Sequence, residues 1–346
     1  MNRIVLLGMF GAWLSGCSST VASEERAPTH VVGTDCSPET ACGGCATCFD
    51  ACTCGGGATA RCAEECHAAA PPERKGDSGA PVSEGSMIAT LVTTAFDIPA
   101  GQEYFRCQNF ENPFGADVAL LSTESFMTPG AHHMFVFEAP GATNGELEPC
   151  SGLEFSANVH TTQRSQERLT YPPGVGRFLS GATGLRVQIH FLNTSEETVH
   201  GEIAVTLRGD PPDLVPIHAS QIFINTASIS VAPRSQGSAQ KDCAIPKDIN
   251  VFTAASHMHQ HGTYYTARSS DGQLLYETNQ WAEPVPWTFT PPRKLSAGST
   301  ITEHCDYDND TDYSLGFGES AATNEMCIFT GAYYPAADGE SIVCLL

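Results

Sequence analysis

Leu185-Arg186-Val187-Gln188-Ile189-His190-Phe191 alternates apolar and polar residues without a fault. Successive side chains of a strand point to opposite faces. Leu185, Val187, Ile189 and Phe191 therefore suit a core, while Arg186, Gln188 and His190 share a polar sheet face. Working outward from this strand, Met87 to Phe96, Asp117 to Leu121, His132 to Glu138 and Glu202 to Leu207 read as strands separated by turn residues. Asp210-Pro211-Pro212-Asp213 and Pro216 make a break. A second set follows: Ile222 to Ile224, Ser228 to Val231, Asp248 to Met258, Tyr264 to Ala267, Gln273 to Glu277, Thr300 to Cys305 and Met326 to Tyr334. Long helical periodicities are missing and Gly and Pro are frequent. The chain reads as all-β, with two antiparallel β-sandwiches of jelly-roll type in tandem, over 87–209 and 215–346.

The first residues read as a targeting segment. Arg3 supplies a positive start, Ile4 to Leu14 an apolar run too short for a permanent span, and Leu14-Ser15-Gly16-Cys17 resembles the bacterial lipobox. Residues 1–17 are then a lipoprotein signal peptide, with Cys17 acylated and Ser18 favouring the outer membrane. Export and lipid anchoring to the cell envelope are the expectation. Residues 18–35 are a polar tether, 36–67 a cysteine-rich module and 68–86 a linker containing Pro71-Pro72 and Pro81.

A formal charge of -22 excludes a nucleic-acid binder, which needs a basic face. The chain has fifteen cysteines; apart from Cys17, eight lie between Cys36 and Cys66 and six between Cys107 and Cys344. In an exported chain an even set implies disulfides. Cys42-x2-Cys45-x2-Cys48-x3-Cys52 has the spacing of a bacterial iron–sulfur run, but Thr53 stands where proline is expected. Four disulfides are the preferred reading of this module, a cluster or zinc site the other.

Four further signals carry metal chemistry. His132-His133-Met134 opens a strand after the turn Thr128-Pro129-Gly130, and its two rings can reach one ion only if a bulge re-aims one of them. His190 lies on the polar face described above. His257-Met258-His259 has i, i+2 spacing, which puts two imidazoles on one strand face. Met326, in Asn324-Glu325-Met326-Cys327, offers a thioether, a soft ligand that favours Cu(I).

Read in order, these pieces resemble the type II copper, ascorbate-dependent monooxygenases, a family that includes peptidylglycine α-hydroxylating and dopamine β-monooxygenases. The shared pattern is His-His-Met, then Val-Gln-Ile-His after Pro172-Pro173-Gly174-Val175-Gly176, then His-x-His followed by Gly, then Glu-Met-Cys, over roughly Phe105 to Leu346. The resemblance implies two copper ions per chain. His132, His133 and His190 hold an electron-transfer copper in the first sandwich; His257, His259 and Met326 hold the catalytic copper in the second, across a water-filled cleft. Gln188 borders the cleft. It also implies a small-molecule substrate, O2 and ascorbate or another one-electron reductant, with pairing of Cys107 to Cys150, Cys243 to Cys344 and Cys305 to Cys327.

The match departs from the peptide-hydroxylating members where these grip a substrate carboxylate. Ala255 stands at their arginine, and Ile328 and Thr330 at their asparagine and tyrosine. Alanine cannot replace a bidentate ion pair, so an apolar or aromatic substrate is expected. Contact with a membrane is expected only through the lipid anchor, and the oligomeric state stays open. Asp306-x-Asp308-x-Asp310-x-Asp312 lacks the glycine and closing glutamate of an EF-hand loop and reads as a solvated turn. His160, His200, His218 and His304 read as surface histidines. The rival reading from another class is a non-catalytic copper-binding surface lipoprotein.

Overall fold

The computed structural model describes residues 85–152 and 157–345, together with Cys62. The expected lipobox, tether, cysteine module and nearly all of the linker fall outside the described residues; of the module only Cys62 is seen, buried and disulfide-bonded.

Strand pairing from residue 87 onward separates into two groups within one compact unit. In the first, a six-stranded sheet runs Met87–Val92, Ile203–Asp210, Val118–Met127, Val175–Leu179 and Ile217–His218, with Gln166–Thr170 paired to Val118–Met127. It faces a five-stranded sheet ordered Glu148–Pro149, Glu103–Phe110, Thr183–Leu192, Ala131–Pro140 and Asn158–Thr162. Leu185, Val187, Ile189 and Phe191 meet Val118, Leu120, Val205 and Leu207 of the other sheet in one core, as the alternation requires. The Pro-rich break becomes the 3-10 turn Pro212–Leu214.

The second group repeats the plan. One sheet is ordered Trp287–Leu295, Ile249–His257, Ile328–Tyr334, Ser220–Asn225 and Ile342–Leu345, the other Ser235–Ala244, Thr300–Asn309, Gly262–Ser269 and Leu274–Thr278. Ile222 and Val251 from the first meet Tyr265, Ala267 and Ile301 from the second in their shared core. Cys243–Cys344 and Cys305–Cys327 staple this group and Cys107–Cys150 the other, the three pairs named above.

Several strands lie outside the sequence expectation, and their composition explains why. Ser235–Ala244 fully buries only Ala239 and Cys243. Trp287–Leu295 contains Pro291-Pro292, which interrupts a ladder, and it is tolerated because this strand is at the sheet edge.

The face carrying Gln188 and His190 corrects the expectation. Both residues are wholly buried, so this is no exposed polar surface. Phe135 and Phe137 of the first group pack with Phe223, Met326 and Ile328 of the second, and Tyr171 and Val175 pack with Phe252 and Ala332. The second group therefore covers the outer face of the first, and a polar residue there is surrounded by protein on both sides.

Candidate metal centre

The ladder between Ala131–Pro140 and Thr183–Leu192 pairs His190 with His133 but Phe191 with Ala131, leaving His132 as the extra residue of a β-bulge. The bulge resolves the problem posed by two adjacent histidines, since it turns His132 to the side that His133 already faces. The rings of His132, His133 and His190 come to 4.8–5.1 Å of one another, centroid to centroid. Phe105, opposite His190 on the neighbouring strand, stacks on its ring at 3.9 Å.

His257 is the last residue of its strand and pairs with Ile328. His259 lies in the turn beyond it, with the two rings 5.1 Å apart. Met258 between them goes the other way, into the core. The turn closes on Gly262, where a Cβ would come within 2.8 Å of the Met258 side chain, so glycine is needed for the tight return. The turn is also clamped from below: the Glu325 carboxylate accepts the backbone N–H groups of His259 at 3.1 Å and His261 at 2.8 Å.

Each of the five histidines is buried and keeps one ring nitrogen without a partner: Nε2 of His132, His257 and His259, Nδ1 of His133 and His190. An orphaned buried nitrogen on one ring would be a defect; on five converging rings such nitrogens make a candidate ligand set. The opposite nitrogens of two rings are held. His190 Nε2 donates to Glu103 Oε1 at 2.8 Å, and His259 Nδ1 donates to the Asn324 carbonyl at 3.0 Å. These bonds fix the tautomer that leaves the other nitrogen as an acceptor. Burial holds His132, His133 and His257 well below the usual histidine range and His259 at about 4, and it lowers His190 against the pull of Glu103. Neutral imidazoles at pH 7 are what a metal ion binds.

Ligand atoms of His132, His133 and His190 lie within 4.8 Å of one another, and so do those of His132, His257 and His259. The two groups thus share His132, and the expected water-filled cleft between them is not seen. His133 and His257 rings are 4.9 Å apart, and His132 and His259 rings 6.0 Å. The physical reason is the packing of the two sheet groups, which brings the bulge directly against the end of the 249–257 strand. Met326 sits two residues before the partner of His257, buried among Phe135, Phe137, Phe223 and Ile328. Cys327, its neighbour, turns into the opposite core, so its bridge leaves Met326 clear.

Gln188 is fixed by donating from Nε2 to the Ser151 carbonyl at 2.8 Å, and its Oε1 has no partner. Ala255 and Thr330 line a cavity that also touches His133, Phe135, His257 and Ile328. His160 is corrected: it is buried, held between Thr123 Oγ1 at 2.7 Å and Ser125 Oγ at 2.8 Å. The Asp306–Asp312 run pairs with its surroundings through His304 and Arg234, and among the described residues only the two histidine groups gather a metal-binding set. Sequence reading missed Glu103, Phe105 and Glu325 as supports. Only Glu325 left a trace, in the Glu-Met-Cys piece of the shared pattern; Glu103 and Phe105, four and two residues before Cys107 on its face of a strand, left none.

Comparison with known proteins points to one family. Residues 217–345 match the family described as copper type II ascorbate-dependent monooxygenase, C-terminal domain. The chain is similar to tyramine beta-hydroxylase of Caenorhabditis briggsae, 25% identical over 258 residues; the alignment covers 64% of this chain and 43% of that protein. The chain therefore spans less than half the length of this relative. Among solved structures, the major capsid protein P2 of bacteriophage PM2 aligns with 73% of this chain and 99% of its own at 7% identity and a TM-score of 0.30. PNGF-II aligns with 72% of this chain and 60% of its own at 9% identity and a TM-score of 0.28. Likeness that low says nothing about chemistry. With residues 217–345 matched to that family's C-terminal domain, and two groups of buried histidines that could each hold a metal ion, the chain is similar to the copper type II, ascorbate-dependent monooxygenases.

Proposed function

We propose that the chain is a copper monooxygenase that hydroxylates a C–H bond of a small, apolar or aromatic substrate. One oxygen atom of O2 enters the product and the other leaves as water, with two electrons from ascorbate or another one-electron reductant. The observation that carries this reading is the set of five buried, neutral histidines, each with one nitrogen unpartnered and two with the other nitrogen already fixed.

The residues fit copper. His132, His133 and His190 would hold one ion through imidazole nitrogen; His257, His259 and the Met326 thioether would hold the second, a softer set suited to Cu(I). When bound, copper supplies the one-electron chemistry and O2 activation that protein side chains lack. The chain's own residues do the rest. Glu103 and the Asn324 carbonyl hold His190 and His259 in their binding tautomers. Phe135, Pro284, Pro286 and Ile328 wall the cavity beside His133 and His257, excluding water and favouring an apolar group there. Ala255 and Thr330 open that cavity towards a larger one lined by Asn158 and Tyr171. Without a cation at position 255, a carboxylate-ended peptide has no anchor of the ion-pair kind. The name of the nematode relative gives tyramine, a ring-bearing amine, as the substrate of that protein, which supports an aromatic substrate here.

We also infer export and lipid anchoring through Cys17, supported by the three disulfides among the described residues, which belong in an oxidising compartment. The deciding experiment is ascorbate-dependent O2 consumption by the copper-loaded protein with phenylethylamines and with glycine-ended peptides as substrates. Hydroxylated phenylethylamine carrying label from 18O2 is expected, lost in His257→Ala and Met326→Ala. Copper bound without O2 consumption would leave the non-catalytic copper-binding reading standing. Turnover of the glycine-ended peptides would overturn the substrate class.

A further inference from the structure

We propose that Glu103 is a positioning residue that sets the spacing between the two histidine groups. The inference rests on the reading that both groups hold copper, and it assigns the tie between them to one side chain.

Glu103 begins the 103–110 strand of the first group, yet its carboxylate bonds to both groups of strands. Oε1 accepts from His190 Nε2 at 2.8 Å and from the backbone N–H of Ala321 at 3.0 Å; Oε2 accepts from Ser320 Oγ at 2.8 Å. Ser320 and Ala321 belong to the second group, in the loop that precedes Met326. That loop is internally braced. The Asn324 N–H donates to the Ser320 carbonyl at 2.9 Å, and the Asn324 carbonyl in turn receives His259 Nδ1 at 3.0 Å. An unbroken line of hydrogen bonds thus runs from His190 through Glu103, Ser320 and Asn324 to His259, one ligand of each group at either end. Ser151 donates to Glu319 beside it, and the same Ser151 takes the amide of Gln188 on its carbonyl, so the neighbouring contact braces the same junction.

The bonds to the carboxylate outweigh its burial, which by itself disfavours charge, and hold it ionised at about 2. Three donors on two oxygens leave it little freedom to swing. A residue serving His190 alone would need one of these bonds; the other two serve only to hold the 320–326 loop against the first group. Those two bonds add to the apolar packing between the groups, across which the His132 and His259 rings lie 6.0 Å apart and the His133 and His257 rings 4.9 Å apart.

The test uses two readouts on the full chain. In the protein loaded with Cu(II), dipolar coupling between the two ions is followed by electron paramagnetic resonance. In the metal-free protein, amide hydrogen exchange is followed at His259 and His261, which bond to Glu325 and do not touch Glu103. Glu103→Ala is expected to weaken the spin coupling and to speed exchange at these two amides, as local opening of a less supported turn requires. Glu103→Gln keeps an acceptor for His190 and Ala321 and turns its amide to the Ser320 hydroxyl, so it should restore both readouts. If Glu103→Ala does not fold, Glu103→Asp, shorter by one methylene, carries the test with the same direction of change. Wild-type protein that binds no second copper would sink the functional reading. Wild-type protein that binds two coppers without dipolar coupling, or a Glu103→Ala variant that changes neither the coupling nor the exchange, would sink this inference alone.

Discussion

The two halves of the molecule hold their histidines in opposite ways. His132, His133 and His190 sit within two hydrogen-bonded strands, so their positions follow from the ladder and its single bulge. His257 stands at the last rung of a ladder and His259 in the turn beyond it, where the His259 peptide N–H leans on Glu325 and its ring on the Asn324 carbonyl. The cores differ as well. The first is built from Leu, Ile, Val, Met and Phe191, whereas the second buries Tyr265, Tyr276, Tyr307 and Tyr333 and, among them, the carboxyl of Glu303. A ladder fixes a metal site against disturbance. A clamped turn leaves one whose ligands can shift slightly, which suits a centre that must admit a further ligand.

The shared position of His132 is where this contrast breaks most sharply. Because His132 lies within reach of both groups, His132→Ala should remove the first ion and loosen the second, whose histidines pack against its ring, while His190→Ala should lower copper only at the first; metal analysis after dialysis measures each. Equal losses in the two variants would mean that the groups act as separate sites. Next in size come the disulfides. Removing Cys305–Cys327, which closes 22 residues beside Met326, or Cys107–Cys150, which closes 43, should each cost about 3–4 kcal/mol of stability in the chain-entropy model. Only the first should also weaken copper binding, since the ladder holds His190 without its bridge. Copper titration of the paired Cys→Ala variants checks this, and equal losses of affinity would erase the distinction between ladder and clamp.

The smallest effect concerns the polar core of the second half. Burial raises the Glu303 carboxyl to about 8 against hydrogen bonds from Thr226 and Tyr265. The folded state then keeps a proton that the unfolded chain releases above its ordinary value of 4.5. Stability from this group is complete below that value and is lost as pH rises towards 8. Glu303→Gln, neutral throughout, should match the wild type at pH 5 and melt several degrees higher at pH 8 by calorimetry. Parallel melting curves of the two proteins across that range would remove the carboxyl from the account.

Much of this was legible in the chain itself. Period-2 alternation at 185–191 marked the strand and its inward face. The i, i+2 spacing of His257 and His259, and the need for a bulge at His132-His133, are consequences of strand geometry that hold in any fold. Glu103 and the buried state of His160 were not legible, because a charged residue at a strand start and a lone histidine look the same whether they meet water or another layer of protein. The missing cleft was hidden for a related reason: spacing along the chain orders ligands within a strand and says nothing about how far apart two sheets settle.

The sequence by itself therefore determined which side chains offer ligand atoms and which face of each strand they take, since both depend on neighbours a few residues away. Only the tertiary structure decided that the two histidine groups share His132 and that one carboxylate from residue 103 reaches both groups of strands, because these contacts join residues separated by as many as 218 positions. Such contacts depend on packing between sheets, which local periodicity does not encode.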